Sequence, residues 1–229
     1  RHQDVLTLYT VNPRSTVSQM LLPDKRSKYI KEEVVAAVTI GPDHILMPSD
    51  RDGFMRIYLY DINGRQQRGV SGDYDITAIY GYDSKTGDLY YQAAALNPHD
   101  RQIYVSHKNG KTQRLTDKEG CNYAVFSGDF KYFVNTWSDY DTPYIYSTRD
   151  NQGKVIATNL DNAELKQKIA DYGWTKKETF SFTTSEGVTL DGWMVKPANF
   201  DPSRKYPVIM FQYSGPGNQQ VMNSWNAGS

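Results

Sequence analysis

The residues in this 229-residue chain whose types and order point to chemistry are Tyr213-Ser214-Gly215-Pro216-Gly217, directly after the apolar run Val208-Ile209-Met210-Phe211. The four apolar residues predict a fully buried strand, because a strand covered on both faces loses its polar alternation. Pro207 and the Gly-Pro-Gly run punctuate its two ends. A buried strand running into a Gly/Pro loop is how α/β enzymes present donors at the carboxyl edge of a sheet. The phenol of Tyr213 can donate to an oxyanion as a tetrahedral intermediate forms. On spacing alone, a tyrosine at a strand end is more often structural than catalytic, so the residues leave both roles open.

The rest of the chain offers little competing chemistry. No Gly-x-Ser-x-Gly nucleophile elbow occurs. His2, His44, His99 and His107 share no metal-ligand spacing and read as surface loop residues, so no metal and no cofactor is expected. Glu32-Glu33 reads as a solvated surface pair, and Asp50-Arg51-Asp52-Gly53 as a turn. Cys121 has no disulfide partner and reads as a small buried hydrophobe. Twenty-six basic against 26 acidic residues give zero net charge, which argues against nucleic acid or an acidic membrane surface as the main partner. No apolar run is long enough to span a bilayer, and the first residues do not form a signal peptide.

The elements that would position the loop are mostly β. Arg56–Tyr60 before Asn63-Gly64, Gln102–Val105 before Asn109-Gly110, and Tyr144–Tyr146 before Gln152-Gly153 align, with Ile57, Ile103 and Ile145 lying 46 and 42 residues apart. Each follows another strand, centred on Leu46, Tyr90 and Phe133. A still earlier strand is read at Val34–Val38, Thr77–Tyr80 and Tyr123–Phe126. A period of about 43 residues with four short strands is the signature of propeller blades. The Asn-Gly pairs predict two-residue hairpin turns with both central residues at positive φ. Three blades are expected from Val34 to Leu160, after a hairpin of Val5–Tyr9 and Val17–Leu22 that supplies half a blade. Three and a half blades do not close a ring, so the chain reads as a fragment.

Downstream, residues 161–170 read as the one good helix, with Asp161 or Asn162 as its cap and Leu165 and Ile169 on one face. From Thr179 the alternation of Phe180, Phe182 and Thr184 predicts a strand. It turns at Ser185-Glu186-Gly187 and returns through Met194-Val195.

Two of these segments carry a family resemblance. Lys205-Tyr206-Pro207, the apolar strand and Tyr213-Ser214-Gly215-Pro216 resemble the opening of the hydrolase sheet in the prolyl oligopeptidase superfamily, dipeptidyl peptidase IV branch. Ser185 to Pro197 resembles the first hairpin of the same catalytic domain. The resemblance implies a mostly β chain: residues 1–160 as the C-terminal part of a β-propeller, 161–178 as a linker helix, and 179–229 as the N-terminal edge of an α/β-hydrolase domain. It implies a serine exopeptidase that removes N-terminal dipeptides with Pro or Ala at the second residue. Tyr213 would be the oxyanion donor, supported by Ser214, Gly215, Pro216 and Gly217. The triad Ser, Asp and His would lie beyond Ser229, so the piece alone would be inactive. The resemblance further implies peptide partners with a free N-terminus, a homodimeric parent, and a periplasmic, cell-surface or secreted location. The branch's glutamate pair for the substrate amine is not carried onto Glu32-Glu33. A non-catalytic propeller binding module, or a related prolyl endopeptidase or acylaminoacyl peptidase, remains the alternative.

Overall fold

The computed structural model describes residues 3–27, 29–70, 72–213, 215 and 217–225. Three four-stranded antiparallel sheets follow one another, each a meander in chain order. The first holds β3 (Thr39–Ile40), β4 (His44–Ser49), β5 (Arg56–Asp61) and β6 (Gln66–Val70). The second holds β7 (Ile76–Asp83), β8 (Asp88–Ala93), β9 (Gln102–Ser106) and β10 (Thr112–Arg114). The third holds β11 (Cys121–Phe126), β12 (Tyr132–Ser138), β13 (Ile145–Asp150) and β14 (Val155–Leu160). A hairpin of β1 (Val5–Val11) and β2 (Ser18–Lys25) precedes them. The fold is therefore a partial propeller of three blades and a leading hairpin, with every sheet open.

The contacts divide the chain into two units: residues up to 95 together with 103–114, and residues 96–102 together with 115 onward. In the first unit the middle strands carry the core, because they are covered on both faces. Leu46, Ile57, Leu59 and Val70 of the first sheet pack with Ile76, Leu89, Tyr91, Ala93 and Tyr104 of the second. Ile45, Met47, Tyr58 and Tyr60 pack instead with Leu22 of the leading hairpin. That hairpin is also tied down by charge. Buried Asp24 accepts from Arg26 Nε and from Ser49 Oγ, both at 2.9 Å, while Arg26 Nη1 reaches Asp50 at 2.7 Å. A buried carboxylate is tolerated when its oxygens are filled in this way.

Two expectations fail here. Val34–Val38 is not the first strand of a blade. Glu32–Ala36 forms the short helix α1, and the first strand is only Thr39–Ile40. Glu32 and Glu33 give the helix an acidic first turn, and both are exposed. The Asn-Gly turns also differ from the two-residue form, since neither Asn63 nor Asn109 has positive φ. Each is a three-residue loop in which only the glycine is left-handed, with Gly64 at φ 79° and Gly110 at φ 84°. Gly64 N–H donates to the Asp61 carbonyl at 3.0 Å and Asp61 N–H to the Arg65 carbonyl at 2.9 Å. The Asp61 carboxylate accepts from the N–H groups of Asn63 and Arg65, both at 2.9 Å. This side-chain acceptor selects a type I turn with a bulge. The same loop recurs at Asp150–Lys154 with Gly153 and at Thr184–Val188 with Gly187.

Beyond the blades lie α2 (Ala163–Asp171) and the hairpin of β15 (Lys177–Thr183) and β16 (Thr189–Val195), paired in register from Lys177↔Val195 to Thr183↔Thr189. Asp161 Oδ1 accepts from Ala163 N–H at 3.0 Å at the start of α2. The predicted buried strand Val208–Phe211 is the third correction. It pairs with no strand among the described residues, and its side chains are 71–98% exposed. No sheet neighbour among the described residues covers it, and four such residues in a row are a surface that demands a partner.

The glycine turns give a paired prediction. A Cβ on Gly64 would stand 2.8 Å from the Leu21 carbonyl oxygen, whereas one on Gly110 would meet nothing within 4 Å. Gly110→Ala should cost about 1 kcal/mol, the penalty of a left-handed Cβ alone. Gly64→Ala should cost roughly 1–2 kcal/mol more, because the leading hairpin must also shift. Urea unfolding of the two variants measures the difference.

Candidate functional site

Tyr213 stands beside a turn that includes Gly215, Gly217 and Asn218. Gly217 is left-handed at φ 75°, and Asn218 N–H donates to the Gly215 carbonyl at 3.0 Å. The Tyr213 ring lies over Gly215. A Cβ there would stand 2.7 Å from Tyr213 Cε1 and 3.0 Å from its hydroxyl oxygen. Glycine is thus the residue that lets the ring rest on the turn. Tyr213 itself is exposed. Ser214 and Pro216 fall outside the described residues.

Immediately after the turn the chain is stitched to residues 97–101, in the same unit. Asn97 shapes that segment: its Oδ1 accepts from the N–H groups of His99 and Asp100, both at 2.9 Å, and its Nδ2 donates to Asp100 Oδ2 at 2.8 Å. Arg101 Nη1 donates to the carbonyls of Pro98 at 3.0 Å and Asp100 at 2.8 Å. Its Nη2 donates to Gln219 Oε1. Gln219 Nε2 donates in turn to the carbonyls of Pro98 at 2.6 Å and Val221 at 2.9 Å. Asn223 Nδ2 donates to Asp100 Oδ1 at 2.9 Å, and Asn223 N–H to the His99 carbonyl at 3.0 Å. The third blade joins through Tyr140 N–H to Asn223 Oδ1 at 3.1 Å and Trp225 N–H to Ser138 Oγ at 3.2 Å.

The same segment reaches the β15–β16 hairpin. His99 Nε2 and Asp191 Oδ2 lie 2.9 Å apart, and Ser181 Oγ donates to Asp191 Oδ1 at 2.6 Å. These three residue types suggest a triad, but the carboxylate stands in the middle. Ser181 donates to Asp191 rather than to an imidazole, so no base activates it as a nucleophile. The Ser181 hydrogen bond, and then His99, hold the Asp191 carboxyl below its ordinary range. Burial, with the Cys121 thiol and the Asp100 and Asp191 carboxylates nearby, pushes the Tyr140 phenol up to about 12. Burial pushes the Cys121 thiol up to about 11. This fits the small hydrophobe read from sequence and removes its nucleophilicity at neutral pH.

The histidines separate differently from expectation. His99 pairs with Asp191, and His107 Nδ1 with Asp88 at 3.0 Å. His44 is not a surface loop residue: it begins β4 and packs edge-on to Tyr82 with ring centroids 4.7 Å apart. His2 lies outside the described residues. Among the described residues no cluster of three His, Cys, Asp or Glu side chains could hold a metal ion. Sequence reasoning missed Asn97, Asp100, Arg101, Gln219 and Asn223. Asn97-Pro98-His99-Asp100 is legible as a turn, but Gln219, bonded to Pro98, and Asn223, bonded to Asp100, stand 121 and 123 positions away.

Comparison with known proteins decides the family. Residues 1–144 match the family described as "Dipeptidyl peptidase IV (DPP IV) N-terminal region". The chain belongs to that family. It is 32% identical over 193 residues to dipeptidyl peptidase 4 of Trichophyton equinum, covering 82% of this chain and 25% of that protein. The Trichophyton rubrum protein is 31% identical over the same length. Among solved structures, dipeptidyl peptidase 4 of Porphyromonas gingivalis superposes with a TM-score of 0.93 at 36% identity, covering 98% of this chain and 32% of that one. A putative dipeptidyl aminopeptidase IV from Bacteroides ovatus shares the fold, with a TM-score of 0.82 at 22% identity over 100% of this chain and 35% of its own. The chain spans about a quarter of the length of the curated relatives it matches.

The DPP IV N-terminal match includes residues 97–101 and ends before the Tyr213 loop. No helix among the described residues is long and apolar enough to cross a membrane. The His99–Asp191 contact is exposed enough that its value is modest. Asp191→Asn should lower stability at pH 7 by at most about 1 kcal/mol, the usual range for such pairs. Because the folded carboxyl is depressed, its contribution is present above its ordinary range and is lost as pH falls through the folded value. Unfolding curves of wild type and Asp191→Asn should therefore differ at pH 7 and draw together as pH falls below the ordinary carboxylate range.

Proposed function

We propose that this chain is part of a serine exopeptidase of the DPP IV kind, which releases dipeptides from peptides with a free N-terminus and prefers Pro or Ala at the second residue. The observation that carries this reading is the likeness to the Porphyromonas gingivalis dipeptidyl peptidase 4, a TM-score of 0.93 over 98% of the chain at 36% identity. Residues 1–160 act as the propeller that filters substrate by size, 161–178 link it onward, and 179–229 open the catalytic domain. The parent is read as a homodimer at the cell surface, in the periplasm or secreted. The 229 residues contain no Gly-x-Ser-x-Gly elbow, so they hydrolyse nothing alone.

Tyr213 is the residue assigned to chemistry. As serine attacks the scissile carbonyl, negative charge develops on the carbonyl oxygen. A phenol poised there donates a hydrogen bond that strengthens as the charge grows. Gly215 lets the ring lie on the turn, and Gly217 supplies the left-handed residue that closes it. An oxyanion donor acts in the transition state and not on the bound substrate, so its loss appears in kcat. Tyr213→Phe in the full-length protein should lower kcat by about 10²- to 10³-fold with KM little changed. Steady-state hydrolysis of a Gly-Pro chromogenic amide measures both; an unchanged kcat removes Tyr213 from the mechanism.

A further inference from the structure

From the bonding of residues 97–101 we infer that Arg101 and Asp100 are positioning residues for the loop that carries Tyr213, an inference that rests on the oxyanion role proposed above. Both side chains are buried, Arg101 to 7% exposure and Asp100 to 1%. Burying a guanidinium and a carboxylate is costly unless their donors and oxygens are filled with good geometry. Here both reach across 118 to 123 positions of sequence to Gln219 and Asn223, within ten residues of Tyr213.

The geometry makes Arg101 a rigid anchor. Its Nη1 is fixed by two carbonyls of its own segment, so the planar fork presents Nη2 to Gln219 without freedom to swing. Gln219 answers with both ends of its amide, receiving from Arg101 on Oε1 and donating to the Pro98 carbonyl from Nε2. Asn223 adds two more bonds, from its side-chain Nδ2 to Asp100 and from its backbone N–H to the His99 carbonyl. Asn218, next to this anchor, donates to the Gly215 carbonyl, and the Tyr213 ring rests on Gly215. A shift at residue 219 reaches Tyr213 through these contacts. An error of about 1 Å at a reacting group costs on the order of 10²-fold in rate.

A structural role and a positioning role part company in a double-mutant cycle on the full-length enzyme. The variants are Arg101→Met, Gln219→Ala, Tyr213→Phe and the two pairings with Tyr213→Phe, assayed for kcat and KM on a Gly-Pro chromogenic amide. Arg101→Met and Gln219→Ala should each lower kcat by about 10- to 100-fold with KM within about twofold. Added to Tyr213→Phe, each should cost less than about a further twofold, because the group it positions is already gone. Gln219 is exposed and threatens the fold less, so its cycle decides the matter if Arg101→Met does not fold. Losses that multiply with Tyr213→Phe overturn the inference and leave the oxyanion reading standing. So does wild-type kcat in Arg101→Met and Gln219→Ala while Tyr213→Phe is impaired. Wild-type kcat in Tyr213→Phe overturns the oxyanion reading and this inference with it.

Discussion

A buried guanidinium cannot be left without acceptors, and Arg101 meets that demand by drawing distant parts of the chain together. Its acceptors lie on its own segment and on Gln219. Asp100 beside it is filled by Asn97 and Asn223. The neighbouring His99 contacts Asp191 of the β15–β16 hairpin and, through its carbonyl, Asn223 and the Cys121 thiol. Five residues between two blade strands thereby fix the third blade, the hairpin and the segment after Tyr213. An unpaired buried charge costs several kcal/mol, so the pairing of Arg101 and Asp100 holds these parts in place.

The propeller was legible because its signal repeats. One strand pattern seen once is ambiguous, but Ile57, Ile103 and Ile145 in register with Leu46, Tyr90 and Phe133 fix three units at once. The structure returns those units as three four-stranded sheets. What failed was local. Val34 and Val35 have strand propensity, yet two preceding glutamates suit a helix N-terminus, and the segment becomes α1. The Asn-Gly pairs favoured a tight turn, but Asp61 captured the N–H groups of Asn63 and Arg65 and selected a longer one. A side chain's choice among backbone partners is not encoded in propensity.

The candidate site divides along the same line. Tyr213 and its glycines stand in one contiguous stretch, so a resemblance could reach them. The expected buried strand ahead of them did not form, because burial needs neighbours and Val208–Phe211 has no pairing strand among the described residues. Asn97, Asp100, Arg101, Gln219 and Asn223 carried no shared motif. Their relation exists only after folding has brought residues more than a hundred positions apart into hydrogen-bond range. Polar networks of this length are invisible to periodicity, which reads apolar faces.

Dipeptide release from a free amino terminus is the activity on which the proposed function stands, and one assay addresses it. The full-length protein is incubated with a peptide beginning Gly-Pro and with its N-acetylated twin, and the products are identified by mass spectrometry. Release of the Gly-Pro dipeptide from the free peptide, with no cleavage of the acetylated one, is the expected result. Cleavage of the acetylated peptide, whether internally or by removal of the acylated residue, would contradict it in favour of an endopeptidase or acylaminoacyl peptidase on the same scaffold. Cleavage of neither would contradict it in favour of a propeller that binds without hydrolysing.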